Sequence, residues 1–252
     1  FPELKVWLTS ISEQWATIAV QGPKAREIVE PFVEGIDLAN EAFPHMSYAE
    51  GAVCGVPARV FRMSFTGEAG YEINVPADYG RMVWDALYER GAPMGMCLYG
   101  TETMHVLRAE KGYIIVGQDT DGTVTPHDAG LSWAVGKKKA DFAGIRGLNR
   151  PDLVAGGRRQ LVGLAVKDGK TVLEEGAQIV ADPNQPVPMK MIGWVSSSYW
   201  SENCGQPIAL ALVEDGFRRM GDTLYVPMPD RVIEVEVRDT VFFDKEGGRL
   251  HG

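Results

Sequence analysis

Glu110 stands where a carboxylate needs a partner. The run TETMHVLRAEK (residues 101–111) has helical spacing, with Thr103, Val106, Leu107 and Glu110 on one side. Glu110 therefore ends a helix beside an apolar stripe. A negative charge there opposes the helix macrodipole by about 0.3–1 kcal/mol, and lost hydration costs more unless hydrogen bonds replace it. Two kinds of partner fit. One is internal: Arg108, Lys111 or a basic residue elsewhere. The other is a ligand edge with two adjacent N–H donors, such as a 2-aminopyrimidinone ring, which a carboxylate grips through two parallel charge-assisted hydrogen bonds.

Two further clusters offer chemistry. FTGEAGYE (residues 65–72) sets two glycines in a strand-to-strand turn, where they permit positive φ and close approach of another group; a hairpin with a glycine bulge has the same composition. Lys137-Lys138-Lys139 is a basic run in an acidic chain, either a solvated turn or a docking point for a small anion such as a ligand carboxylate. The histidines at 45, 105, 127 and 251 have no carboxylate or cysteine neighbours at ligand spacing, so no metal site is read. No nucleophile elbow, Walker loop, H-E-x-x-H or G-x-G-x-x-G pattern occurs.

These residues need elements to hold them. WATIAV (15–20) reads as a buried strand, broken by Gln21-Gly22-Pro23, with Pro23 opening a helix to about Phe32. ARVFRMSF (58–65) and YEINV (71–75) alternate as strands on either side of the two-glycine turn. Asp78 is placed to cap a helix over about 79–90, with Met82, Val83, Ala86 and Leu87 on its apolar face and Gly91 at its end. Thr101 is a candidate cap and Gly112 a candidate terminator for the helix carrying Glu110. GLNRPDLVAGGRR (147–159) reads as a linker. Beyond it, short strand-like runs at 160–166, 178–180, 192–196, 208–213, 223–226 and 233–237 are spaced as in an all-β barrel or sandwich.

Composition limits the partners. The 252 residues include 25 Lys and Arg against 34 Asp and Glu, a net charge of −9, which argues against nucleic acid or an anionic membrane surface. No apolar run is long enough for a membrane span. Cys54, Cys97 and Cys204 are too few and scattered for a disulfide framework, so a reducing cytoplasm is the expected setting. The chain opens on Phe1 rather than methionine, which reads as a fragment of a longer polypeptide.

Taken in order, these pieces resemble one family. LRAEKGYIIVGQDTDGTVTPHDAGLSWAVGKKKADFAGIRGL (107–148), SFTGEAGYEI (64–73) and WATIAVQGPKAREI (15–28) are similar to three signatures of the folate-binding aminomethyltransferases, the T-proteins of the glycine cleavage system. The first carries Leu-Arg-x-Glu, the turn at 117–121, Thr125-Pro126, Ala129-Gly130-Leu131-x-Trp133 and Asp141-Phe142-x-Gly144. The wording is closest to the branch formed by the C-terminal parts of heterotetrameric sarcosine oxidase alpha subunits, because GTETMH (100–105) replaces the T-protein Gly-x-x-Ala-Arg-Asp.

The resemblance implies an α+β fold: an aminomethyltransferase-like folate-binding region of ferredoxin-like α/β units (1–150), truncated at its N-terminus, then a small all-β barrel (158–245). It implies that tetrahydrofolate captures the one-carbon unit of an imine made by oxidising sarcosine, giving 5,10-methylenetetrahydrofolate beside glycine and hydrogen peroxide. FAD, FMN and NAD would belong to other parts of the complex, and the partners would be the other oxidase subunits, notably the flavin-containing beta subunit. On this resemblance Glu110 falls at the family's pterin-binding glutamate. Phe65 and Tyr99 become candidate aromatic walls, Glu68 and Tyr71 signature-loop contacts, and Lys137 or Lys138 a contact for the folate's glutamate tail. The family's catalytic aspartate would lie upstream of every matched segment, so no catalytic residue is assigned. Two alternatives remain: a glycine cleavage aminomethyltransferase, and a family member without folate that serves as an assembly scaffold.

Overall fold

The computed structural model describes residues 2–251, so Phe1 lies outside the described residues. The chain forms two compact units, one of residues 2–100 with 246–251, the other Thr101–Lys245. This division differs from the 1–150 and 158–245 split read from the sequence. The physical reason is that the helix bearing Glu110 packs on strands of the C-terminal half: Val106 and Ala109 join Leu161, Tyr199, Ile208, Leu210 and Leu212 in one apolar cluster.

The first unit is built on an antiparallel five-stranded sheet. Its strands are β1 (Trp15–Gln21), β2 (Val33–Glu34), β3 (Ser47–Val53), β4 (Val56–Arg62) and β5 (Gly70–Pro76), in the spatial order β1-β5-β4-β3-β2. Helices α1 (Ala25–Val29) and α2 (Gly80–Gly91) pack against β1, β5 and each other. Alternation decides what is inside. Tyr71, Ile73 and Val75 of β5 are buried among Ile18, Val60, Val83 and Leu87, whereas Glu72 and Asn74 point to the opposite face. Asp78 does not cap α2 as the sequence led us to expect. It lies in a 3₁₀ turn (Ala77–Tyr79), and the helix starts two residues later with no side-chain cap.

The second unit opens with α3 (Thr101–Glu110) and continues through a largely irregular stretch that includes two one-turn helices, α4 (Ile145–Leu148) and α5 (Pro151–Val154). Helix α3 ends in a Schellman motif: the Gly112 N–H donates to the Ala109 carbonyl at 3.0 Å and the Tyr113 N–H to the Arg108 carbonyl at 3.0 Å. Gly112 adopts φ +68° there, and a Cβ would stand 2.8 Å from the Thr240 carbonyl oxygen. We expect Gly112→Ala to destabilise the chain by at least about 1 kcal/mol, since alanine resists positive φ; urea unfolding measures it, and an unchanged midpoint would contradict this description of the helix end.

Six antiparallel strands follow: β6 (Arg159–Val166), β7 (Gln178–Ile179), β8 (Gly193–Ser201), β9 (Gln206–Glu214), β10 (Thr223–Pro227) and β11 (Val232–Arg238), ordered β10-β11-β6-β9-β8-β7. Val180, just past β7, pairs with Tyr225 of β10 through reciprocal hydrogen bonds of 2.9 and 3.1 Å, which close the sheet into a barrel. All six runs read from the sequence are strands. The middle strand β9 is buried on both faces: Ala209, Ala211 and Val213 face the barrel core, Ile208, Leu210 and Leu212 the cluster under α3. That explains its near-continuous apolar run. The last turn, α6 (Gly248–His251), belongs to the first unit.

Candidate functional site

In the second unit, Glu110 is 2% exposed and its carboxylate is engaged within the protein. The Ser201 hydroxyl donates to Oε1 at 2.6 Å, and the Asn203 amide donates to Oε2 at 2.8 Å. The orphan carbonyl of the same residue accepts the Phe242 and Phe243 N–H groups at 2.8 and 3.1 Å. The partner demanded by the sequence argument is therefore internal, but it is neither Arg108 nor Lys111. Arg108, about 200° around the helix from Glu110, turns to Asp119. Lys111 reaches the Asp244 carboxylate at 3.2 Å. Two neutral donors from the end of β8 and the turn after it stabilise the buried charge instead.

In the first unit, Tyr71 is fully buried. Its hydroxyl accepts from Arg62 Nη1 at 2.8 Å and Arg26 Nε at 3.3 Å, and its ring stacks on Phe43 and lies 5.1 Å from the Arg62 guanidinium. Tyr71 thus holds the core beneath the signature loop. The loop itself is tied to β1: Thr66 and Ser64 donate to the Gln21 side-chain oxygen, and the Gly22 N–H donates to the Ala69 carbonyl at 2.8 Å. Gly70 makes this possible, since a Cβ there would lie 2.8 Å from Gln21 Cγ. Phe65 is half-buried. Glu68 takes an ion pair with Arg249 at 2.7 Å.

Glu72 was not singled out in the sequence, and the structure gives it the features that argument sought in Glu110. It is half-buried on β5, and its carboxylate has no hydrogen-bond or ion-pair partner among the described residues. Burial pushes its pKa up. Tyr99 lies within its field: burial, and then the Glu72 charge, push the phenol up too. Tyr99 is exposed and belongs to the same unit as Glu72. A half-buried carboxylate of this kind, with both oxygens unengaged, can accept two N–H bonds from a planar heterocycle. The available signal was its position one residue after the buried Tyr71, on the opposite face of the strand.

The lysines at 137, 138 and 139 are exposed and make no ion pair among the described residues. Lys139 lines a cavity of about 360 Å³ with His127, Phe142, Ile145, Leu148 and Asn149. Among the described residues no three His, Cys, Asp or Glu side chains group as they would around a metal ion, and no helix is long and apolar enough to cross a membrane.

Comparison with known proteins gives this geometry its context. Residues 2–139 match the model of the GCVT N-terminal domain, and residues 159–244 that of the glycine cleavage T-protein C-terminal barrel domain. The chain is 47% identical over 257 residues to the sarcosine oxidase subunit alpha of Corynebacterium sp. (strain P-1), an alignment covering 100% of this chain and 26% of that protein. The subunit alpha of Rhizobium meliloti (strain 1021) is 38% identical over 255 residues, with the same coverage of 100% and 26%. An aminomethyltransferase of Thermotoga neapolitana is 32% identical over 244 residues, covering 94% of this chain and 62% of that protein. The fold is similar to the crystal structure of the glycine cleavage system aminomethyltransferase T from Bartonella henselae, with TM-score 0.75 and 24% identity over 92% of this chain and 60% of that one. The chain spans 26% of the length of the sarcosine oxidase relatives it matches.

Proposed function

The chain belongs to the glycine cleavage T-protein family, and from that premise we propose that it binds tetrahydrofolate, with Glu72 as the carboxylate that orients the pterin edge. The carrying observation is the half-buried Glu72 carboxylate, which has no partner among the described residues. Glu110 is the less suitable group, because both of its oxygens already accept hydrogen bonds; its role in this reading is to fasten α3 to the barrel.

The residues present fit the cofactor. A pterin offers adjacent N–H donors to an anionic acceptor and a flat ring to an aromatic wall. Glu72 and Tyr99 supply both, with half-buried Phe65 as a second aromatic candidate. In the second unit, taken by itself, Lys137 and Lys138 are exposed and without ion pairs, which suits a contact for a carboxylate such as a glutamate tail carries. Tetrahydrofolate supplies nucleophilic amines that take up a one-carbon unit. The work of the chain is then to bind, orient and shield from water, so that capture outruns hydrolysis.

The similarity to sarcosine oxidase alpha subunits supports a finer reading. In it the chain is the folate-binding part of such a subunit, the imine comes from sarcosine oxidation at a flavin elsewhere in the complex, and the products are 5,10-methylenetetrahydrofolate, glycine and hydrogen peroxide. The other oxidase subunits are its partners, and the oxidoreductase assignment belongs to the whole complex. Calorimetric titration of the chain with tetrahydrofolate tests the first step: saturable binding at a one-to-one ratio is expected, and no heat at millimolar ligand would favour the scaffold alternative.

A further inference from the structure

We propose that the C-terminal turn is a latch on the signature loop, with Arg249 a positioning residue that acts through Glu68. The chain leaves the second unit after Lys245, and residues 246–251 cluster with the first unit. They are anchored there at depth. Leu250 is 8% exposed, and Arg62 Nη2 donates to the Leu250 and His251 carbonyls, both at 3.3 Å. The same guanidinium holds Tyr71 through Nη1, so one buried arginine fastens α6 and the start of β5 together.

The consequence for the loop lies at Glu68. Arg249 donates to its carboxylate at 2.7 Å across 181 residues of sequence, and the Glu68 side chain is largely covered. The loop between β4 and β5 is therefore held from two directions. Gln21 and Gly22 hold Ser64, Thr66 and Ala69, and Arg249 holds the tip between them. Phe65 and Glu72 flank that tip. Glu68 has a partner inside its own unit, which makes it part of the loop's fastening, whereas Glu72 has none.

The test uses the full chain with Arg249→Glu, Arg249→Lys and the swap Arg249→Glu with Glu68→Arg. Hydrogen exchange at the amides of residues 64–69 reads the loop directly, and the tetrahydrofolate Kd reads the site, the latter resting on the folate reading above. Placing like charges together should speed loop exchange about three- to tenfold and raise Kd by a similar factor. The swap should restore slow loop exchange, and Arg249→Lys should keep exchange and Kd near those of the unmodified chain, which a general loss of stability would not allow. Unchanged loop exchange in Arg249→Glu, or acceleration that the swap fails to reverse, overturns the latch. Absence of folate binding in the unmodified chain would instead overturn the folate reading, leaving exchange to decide the latch.

Discussion

Asp119→Ala should cost the second unit about 3–5 kcal/mol, because it strands a buried cation. Arg108 and Asp119 are both fully buried and ion-paired. The Asp119 carboxylate also accepts the Ser196 and Ser197 hydroxyls at 2.6 and 2.7 Å and the Ile115 N–H at 2.9 Å. Arg108 in turn donates to the Tyr113 carbonyl at 3.0 Å and to the Ser197 hydroxyl at 2.7 Å. With the carboxylate gone, the guanidinium keeps only neutral acceptors in a site closed to water. Replacing both residues with apolar ones should cost less than the sum of the single changes, since no unpaired charge then remains. Chemical denaturation of the three variants measures this; a loss below about 1 kcal/mol for Asp119→Ala would contradict the network as described.

Glu72→Gln should weaken tetrahydrofolate binding by about 1.5–3 kcal/mol, the usual worth of hydrogen bonds to a charged group. Its effect on stability has the opposite sign. Burial raises the carboxyl pKa in the folded chain, so its contribution to folding is full below the unfolded-state pKa and is lost as pH rises through the folded one. At neutral pH the ionised side chain therefore works against folding, and the glutamine variant should melt at the same temperature or higher. Ligand N–H groups favour the ionised form. Affinity should accordingly fall with acidification through the raised Glu72 pKa, at a higher pH than for an ordinary glutamate, and this limb should vanish in Glu72→Gln. A variant that loses both affinity and stability would point to a structural role instead.

Much of this was readable in the residues. Alternation at 71–75 marked a strand, and Gly112 marked the end of α3. The six C-terminal strand runs hold because apolar, β-branched segments between Gly, Pro, Asp and Asn have few other uses. The second half of β8 was not legible. Ser197-Ser198-Tyr199-Trp200-Ser201 looks like a loop, yet Ser197, Ser198 and Ser201 are buried, with hydroxyls on Asp119, the Leu173 N–H and Glu110. Their partners lie about 25–91 residues away in sequence, a separation that local pattern cannot bridge. Strand β3 was missed for a simpler reason: SYAEGAV alternates weakly and carries an internal glycine.

The site shows the same limit. Glu110, ending a helix beside an apolar stripe, needs a partner, and the donors it has, Ser201 and Asn203, stand 91 and 93 residues on, where no local pattern points to them. Glu72 escaped notice because nothing local distinguishes an exposed strand glutamate from a half-buried one. Its lack of a partner emerges only once the strands on either side of it are in place.

Titration of tetrahydrofolate into the unmodified chain, Glu72→Gln and Glu110→Gln under one set of conditions separates the two carboxylates. The account predicts a Kd raised about ten- to a hundredfold for Glu72→Gln and a Kd unchanged for folded Glu110→Gln, whose cost appears in stability alone. A Kd insensitive to Glu72→Gln and raised by Glu110→Gln would contradict it.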